Sequence, residues 1–124
     1  MVSQYFEDQR IIQTLKRLKE SCDYIIEWNE NISDPEDFPA SSSGMQTLAA
    51  SCMLIEAIGE GIKNIDKLNP QYLELQAPDI PWRDYVGMRS RIAHGYHELD
   101  VEIVFDIVKN NIPELKSAIE LLLK

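Results

Sequence analysis

The sequence predicts an all-α protein, an antiparallel bundle of four main helices, with a fifth if the chain breaks at Pro113. Two observations support this. Apolar residues recur every three or four positions through most of the 124 residues, which is the helical period. No stretch shows the strict alternation of apolar and polar residues that is typical of a half-exposed strand. The connections between the apolar stretches are short, which favours antiparallel neighbours.

The first helix is expected over about residues 4–29. Charged residues fill its opposite face, so the helix is amphipathic. Asn29 and the turn residues Asp34 and Pro35 mark its end. Its apolar stripe consists of Ile11, Leu15, Leu18, Cys22 and Ile25.

The second helix follows a loop at 34–44, and Ser41, Ser42 or Ser43 can cap its first turn. We expect it to end at Asn69 and Pro70. It is rich in Ala, Gly and Ser, which lets another helix approach closely, including one from a second subunit. Its apolar stripe consists of Leu48, Cys52, Ile55, Gly59 and Ile62.

Prolines interrupt the segment 71–81, so a regular element is not expected there. A third helix should run from about Trp82 to Ala93 and stop at Gly95. Asp100 can cap the last helix. The apolar period of that helix continues across Pro113, which predicts a kink or a break with nearly collinear halves.

Composition limits what the protein can be. Twelve Lys and Arg residues stand against 21 Asp and Glu, giving a net charge of −9, which argues against a broad nucleic-acid-binding surface. The length fits one domain over 1–124. No secretion signal or membrane-spanning run is visible, so a cytoplasmic protein without membrane contact is expected. Cys22 and Cys52 are expected to be buried and reduced.

One short segment differs from the acidic background. Residues 87–97 contain Arg89, Arg91, His94, Tyr96 and His97, and Arg83 lies one to two turns upstream. Such a positive island suits a phosphate. Histidine transfers protons near neutral pH and arginine clamps a phosphate. RNA supplies its own 2′-hydroxyl nucleophile, so neither a metal nor another cofactor is required.

Structural roles would also account for these residues. A histidine at a helix end caps carbonyl groups, the arginines can pair with nearby acids, and Tyr96 can lie at the edge of the core. On an ideal helix Arg89 and His94 lie about 140° apart. They converge only if the helix distorts or ends near Ala93, or if two subunits complete the site, and Arg91 is the geometric competitor. Metal hydrolysis fits less well, because no acidic ligand motif accompanies His94 and His97.

The segment reads Arg89-x4-His94-x-Tyr96, and in this form it resembles the HEPN superfamily, in particular the HepT-like toxins of bacterial toxin–antitoxin pairs. The resemblance covers nearly the whole chain and is weakest at 34–44. One departure is Ser90, where the family usually has Asn. Further matching stretches are Ile58-Gly59-Glu60, Ile80-Pro81-Trp82, Gly87-Met88-Arg89, Val104-Phe105-Asp106-Ile107-Val108 and Ile112-Pro113-Glu114-Leu115.

The resemblance implies a HEPN-like helical domain that forms a homodimer, with the two motifs facing each other in a cleft. It implies a metal-independent endoribonuclease in which His94 is the general base or acid and Arg89 orients the phosphate. Tyr96 matches the position that a cognate minimal nucleotidyltransferase antitoxin modifies with AMP. Glu60 would fix an arginine. Supporting or RNA-binding positions would be Arg83, Ser90, Arg91 and His97. The main alternative is a non-catalytic HEPN binding module for a nucleotidyltransferase.

Overall fold

The computed structural model describes residues 2–92 and 99–124. Within these ranges the chain is helical, and the only β-type residue is an isolated bridge at Leu99. The all-α prediction is confirmed. The helices are α1 (Val2–Trp28), α2 (Ser42–Leu68), α3 (Tyr72–Gln76), α4 (Trp82–Ile92), α5 (Val101–Asp106) and α6 (Ile112–Leu122). A 3₁₀ turn covers Pro35–Asp37, and a π-helical turn covers Ile107–Asn111.

Neighbouring long helices run antiparallel. Along α1 and α2, Leu18 lies opposite Gly61, while the buried amide of Asn29 donates to Ser51 Oγ at 2.9 Å. Residue numbers therefore rise along α1 while those of the facing residues on α2 fall, as in an antiparallel pair. The same holds for α1 and the last helical run, where Asp23 contacts Lys116 and Lys109 donates a hydrogen bond to the backbone oxygen of Asn29. All five residues predicted for the α1 stripe are buried, so this stripe forms the centre of the bundle.

Glycines on α2 let the other helices of this chain come close. A Cβ added at Gly59 would lie 3.3 Å from the backbone oxygen of Tyr85 and 3.4 Å from Val86 Cα on α4. One added at Gly61 would lie 2.6 Å from Leu18 Cδ2 on α1. The expected close approach is therefore real, but at these two glycines it is made within the chain and not by a second subunit.

The predicted caps form. Ser41 Oγ accepts a hydrogen bond from the backbone N–H of Gly44 at 2.9 Å, and Asp100 Oδ1 accepts one from Ile103 at 3.1 Å. The expectation for 71–81 was wrong in part, because the short helix α3 forms there. Its entry is Gln71 in the left-handed region at φ 69°, and Leu73 is fully buried. Burial of one large apolar side chain outweighs the local preference for a loop.

The interruption expected near Pro113 is the π-helical turn over Ile107–Asn111. The proline itself lies in the first turn of α6, where its missing N–H is tolerated. Tyr85 on α4 donates its hydroxyl hydrogen bond to the backbone oxygen of Asn111 at 2.8 Å. α4 is thereby fastened to the last helical run, and its position in the bundle is fixed on two sides.

The two cysteines differ in burial. Both are free thiols, but only Cys22 is buried, whereas Cys52 is half-buried. Burial raises the pKa of Cys22 to about 12 and that of Cys52 to about 11, so both thiols stay protonated near neutral pH. The prediction of a fully buried Cys52 was wrong, because the buried face of α2 is centred on Ser51, Ile55 and Ile58 instead. None of the helices described in the structure is long and apolar enough to cross a membrane.

Candidate functional site

Helix α4 presents the predicted site residues to solvent. Its buried residues are Trp82, Tyr85, Met88 and Ile92, spaced by three or four positions. This spacing keeps one face against α2 and the core. The remaining positions point outward, and they include Arg83, Arg89, Ser90 and Arg91, all of which are exposed. The helix is therefore a rigid support for a set of accessible arginines.

Arg89 is held by an acidic residue of α2. Its Nη1 atom lies 3.5 Å from Oε1 of Glu56. The Arg89 side chain is nevertheless 72% exposed, and that of Glu56 is 48% exposed. An ion pair so open to water contributes little to the free energy of unfolding. It does restrict where the guanidinium points while leaving its other N–H groups free to bind an anion.

Sequence reasoning missed Glu56. The residue lies three positions before Gly59, where the backbone of α4 passes close to α2. In the antiparallel register, residue 59 is opposite 85–86, so residue 56 falls opposite 89. A signal was present in the sequence, since a glycine on an amphipathic helix marks a close helix contact. Finding the pair required knowing which helix makes that contact.

Glu60 makes a different contact from the one expected. Its Oε1 atom lies 3.6 Å from Nζ of Lys63. Among the residues that the structure describes, the acid that contacts an arginine of α4 is Glu56, one turn earlier on α2.

Arg83 lies at the other end of α4, about 9 Å from Arg89 along the helix axis. Its charge acts on Asp66 near the end of α2. Burial raises the pKa of Asp66, the nearby Glu74 raises it further, and Arg83 opposes both. The structure therefore places Arg83 beside the α2 terminus and does not bring it together with Arg89.

Arg91 is separated from Arg89 around the helix by about 200°, from two steps of 100°. The two side chains therefore flank α4 on opposite sides, and Ser90 lies between them on the exposed surface. The other predicted site residues, His94, Tyr96 and His97, lie outside the described residues. Among residues 2–92 and 99–124, no three His, Cys, Asp or Glu side chains are grouped so that they could hold a metal ion.

Comparison with known proteins gives a consistent result. The sequence profile of the family described as "Ribonuclease HepT-like" matches residues 11–122. A protein of Thermococcus cleftensis named "Probable ribonuclease HepT" is 34% identical over 110 residues, which cover 89% of this chain and 93% of the relative. A protein of Methanocaldococcus jannaschii named "Putative RNase MJ1216" is 30% identical over 105 residues, covering 85% of this chain and 80% of the relative. No solved structure gives a significant match.

Proposed function

This chain belongs to the Ribonuclease HepT-like family, and we propose that it is a metal-independent endoribonuclease that cleaves RNA with Arg89 and His94. The observation that carries the proposal is the exposure of Arg89 and its contact with Glu56. Its guanidinium is exposed, is oriented by Glu56, and lies on α4 only five residues before His94. An exposed guanidinium with N–H groups available for an anion suits the negative charge that develops on phosphorus in the transition state.

The proposed reaction uses the RNA's own 2′-hydroxyl. This oxygen attacks the adjacent phosphorus and forms a new P–O bond while its proton passes to a histidine base. The bond from phosphorus to the 5′-oxygen breaks, and that oxygen takes a proton from a second histidine or from water. The products are a 2′,3′-cyclic phosphate and a 5′-hydroxyl. His94 supplies the base or acid, and Arg89 stabilises the charge that develops on phosphorus.

Two copies of the chain would form the cleft. On a continued helix Arg89 and His94 would diverge, so pairing Arg89 of one copy with His94 of the other removes the geometric difficulty. Mixing tests this directly. Arg89→Ala and His94→Ala proteins, each inactive alone, should regain up to about a quarter of wild-type activity after co-refolding. Half of the dimers would then be mixed, and each would contain one intact site of two. Restoration by mixing is not expected if each copy uses its own Arg89 and His94.

The activity itself is tested with single variants. His94→Ala and Arg89→Ala should each lower the rate of RNA cleavage by about 100-fold or more, typical of removing a catalytic acid–base or a charge-stabilising group. Their melting temperatures should stay near that of the wild type. Lys16→Ala, an exposed cation on α1, is the control and should cleave normally. Cleavage should persist in EDTA.

A nucleotidyltransferase partner would act as the antitoxin. AMP attached to Tyr96 would add bulk and a negative charge close to the proposed catalytic histidine, repelling the RNA phosphates. Incubation with ATP and a small nucleotidyltransferase encoded beside the gene should add AMP to the wild type and not to Tyr96→Phe, and should stop cleavage only in the wild type. If the purified protein cleaves no RNA and yet co-purifies with such an enzyme, the chain is a non-catalytic binding module instead.

A further inference from the structure

A groove between α1 and α2 carries a second group of cations. Its basic end, of about 350 Å³, is lined by Arg10, Gln13, Arg17, Asn64 and Lys67, among others. Arg10 and Arg17 are seven residues apart, so they lie on one face of α1 about 10 Å from each other. Lys67 faces them from the last turn of α2. Three positive charges therefore line one concave surface of a protein with a net charge of −9.

Within the described part of the chain, Arg10, Arg17 and Lys67 form no ion pair. The other side-chain cations of α1 and α2 include Lys19, which pairs with Asp23, and Lys63, which pairs with Glu60. Across residues 2–92 and 99–124, by contrast, no carboxylate lies within 4.0 Å of the charged atoms of Arg10, Arg17 or Lys67. Amide side chains of Gln13 and Asn64 add neutral donors beside them. Such a set suits an extended anion with several phosphates.

The groove continues past Glu56, the residue that contacts Arg89. Arg17 and Asn64 also line an adjoining stretch of about 570 Å³, whose lining includes Glu56 and extends to Met53. The two acids of this stretch, Glu56 and Glu60, each lie beside a cation of their own. Exposed Met53 offers an apolar contact there. Phosphates are thus favoured at the basic end of the groove and beside Arg89, and Met53 offers an apolar surface to a base at the end away from Lys67.

We infer that the α1–α2 groove binds the phosphodiester backbone of single-stranded RNA, with Arg10, Arg17 and Lys67 holding nucleotides distant from the bond cleaved beside Arg89. This inference rests on the proposed function, because it names where the substrate of that same site extends. It extends the proposed RNA contacts beyond the basic segment at 83–97. The acidic remainder of the surface confines the RNA to this path.

The test measures RNA binding as a function of salt. The probe is a fluorescent single-stranded 12-nucleotide RNA. The protein carries His94→Ala so that the RNA is not cleaved during the measurement. Arg10→Gln/Lys67→Gln is compared with Lys16→Gln/Lys124→Gln, which removes the same charge from outside the groove. Each phosphate contact on a single strand contributes about 0.7 to the slope of log affinity against log salt. The groove variant should therefore have a slope shallower by about 1.4. Its RNA affinity relative to the wild type should then be roughly 25-fold lower at 0.1 M salt than at 1 M salt.

The control variant should keep the wild-type slope. Equal slopes for both variants would overturn the inference, and the groove would then serve another class of ligand, such as an acidic protein. Steady-state kinetics in the otherwise wild-type protein separate this inference from the proposed function. The groove variant should raise KM for the 12-nucleotide RNA and leave cleavage of a dinucleotide unchanged. A wild-type protein that cleaves no RNA refutes the proposed function, whereas normal cleavage with an unchanged KM in the groove variant refutes only the inference.

Discussion

The carboxylate of Glu56 on α2 lies 3.5 Å from the guanidinium of Arg89 on α4. This contact joins the middle of the long helix α2 to the first residue of the Arg-x4-His motif on α4. It depends on Gly59, because the backbone of α4 passes where a larger residue would place its side chain. Packing of the bundle and orientation of the proposed phosphate clamp are therefore one structural arrangement.

Glu56→Gln tests whether this contact positions Arg89. The amide keeps the size of the side chain and removes its charge, so RNA cleavage should fall by up to about fivefold, the effect of losing an exposed pair of about 1 kcal/mol. Glu60→Gln should have a smaller effect, since that carboxylate pairs with Lys63. Equal losses in kcat/KM for the two variants would argue against a positioning role for Glu56.

Gly59→Val should destabilise the bundle. The new side chain meets the backbone of Tyr85 and Val86, which cannot move without displacing α4, so a loss of about 1–3 kcal/mol is expected from overpacking. Gly87→Val is the matched control, because nothing lies within 4 Å of a Cβ at that position. Urea denaturation measures both. A stable Gly59→Val protein would show that the helix contact is looser than described.

The ion pairs of Asp23 make stability depend on pH. Burial alone would raise the pKa of Asp23, but the ammonium groups of Lys116 and Lys19, each 2.9 Å from a carboxylate oxygen, outweigh it and hold the pKa below its usual value. A lowered carboxyl pKa stabilises the fold above about pH 4, and that contribution is lost as pH falls through the folded-state pKa. Asp23→Asn should thus lower the free energy of unfolding at pH 7, by about 1 kcal/mol or less because the groups are partly exposed.

The difference between Asp23→Asn and the wild type should close as the pH falls towards 2, when both proteins carry a neutral side chain at this position. Glu27→Gln removes an exposed acid from the same helix and should show no such pH-dependent gap. A constant gap from pH 7 to pH 2 would mean that the asparagine acts through packing and not through charge.

Ser90→Asn tests the departure from the family motif. Ser90 is exposed on α4 between the two arginines, so the larger amide can be accommodated without changing the core. Asparagine adds a donor and an acceptor that reach further toward a phosphate, and we expect kcat for RNA cleavage to rise several-fold with an unchanged melting temperature. Ser117→Asn, an exposed serine on α6, is the control. An unchanged or lower kcat would show that Ser90 does not limit catalysis.

Local chemistry explains which features were predictable. The spacing of Ile11, Leu15 and Leu18 defines the buried face of α1, and the short polar side chains of Ser41 and Asp100 mark helix starts, because both signals act within one or two turns. The short α3 was not predictable from its prolines, since it forms through the tertiary burial of Leu73.

In the candidate site, too, local features were predictable and contacts between distant helices were not. Residue types and spacing singled out Arg89 as an accessible cation on a helix, and its exposure agrees. Its partner Glu56 and the cations of the α1–α2 groove were not found, because they come together only when two distant helices pack. The positions of His94 and Tyr96 relative to Arg89 stay predictions.

The chemistry of the cleaved ends tests the central claim most directly. An RNA containing one preferred cleavage site is incubated with wild-type protein in EDTA, beside the same RNA carrying a single 2′-deoxynucleotide just before that bond, and the products are identified by mass spectrometry. We predict a 2′,3′-cyclic phosphate and a 5′-hydroxyl from the first RNA, no cut at that bond in the second, and no products from either with His94→Ala. Cleavage at the 2′-deoxy position, or undiminished cleavage by a folded His94→Ala protein, would contradict the account.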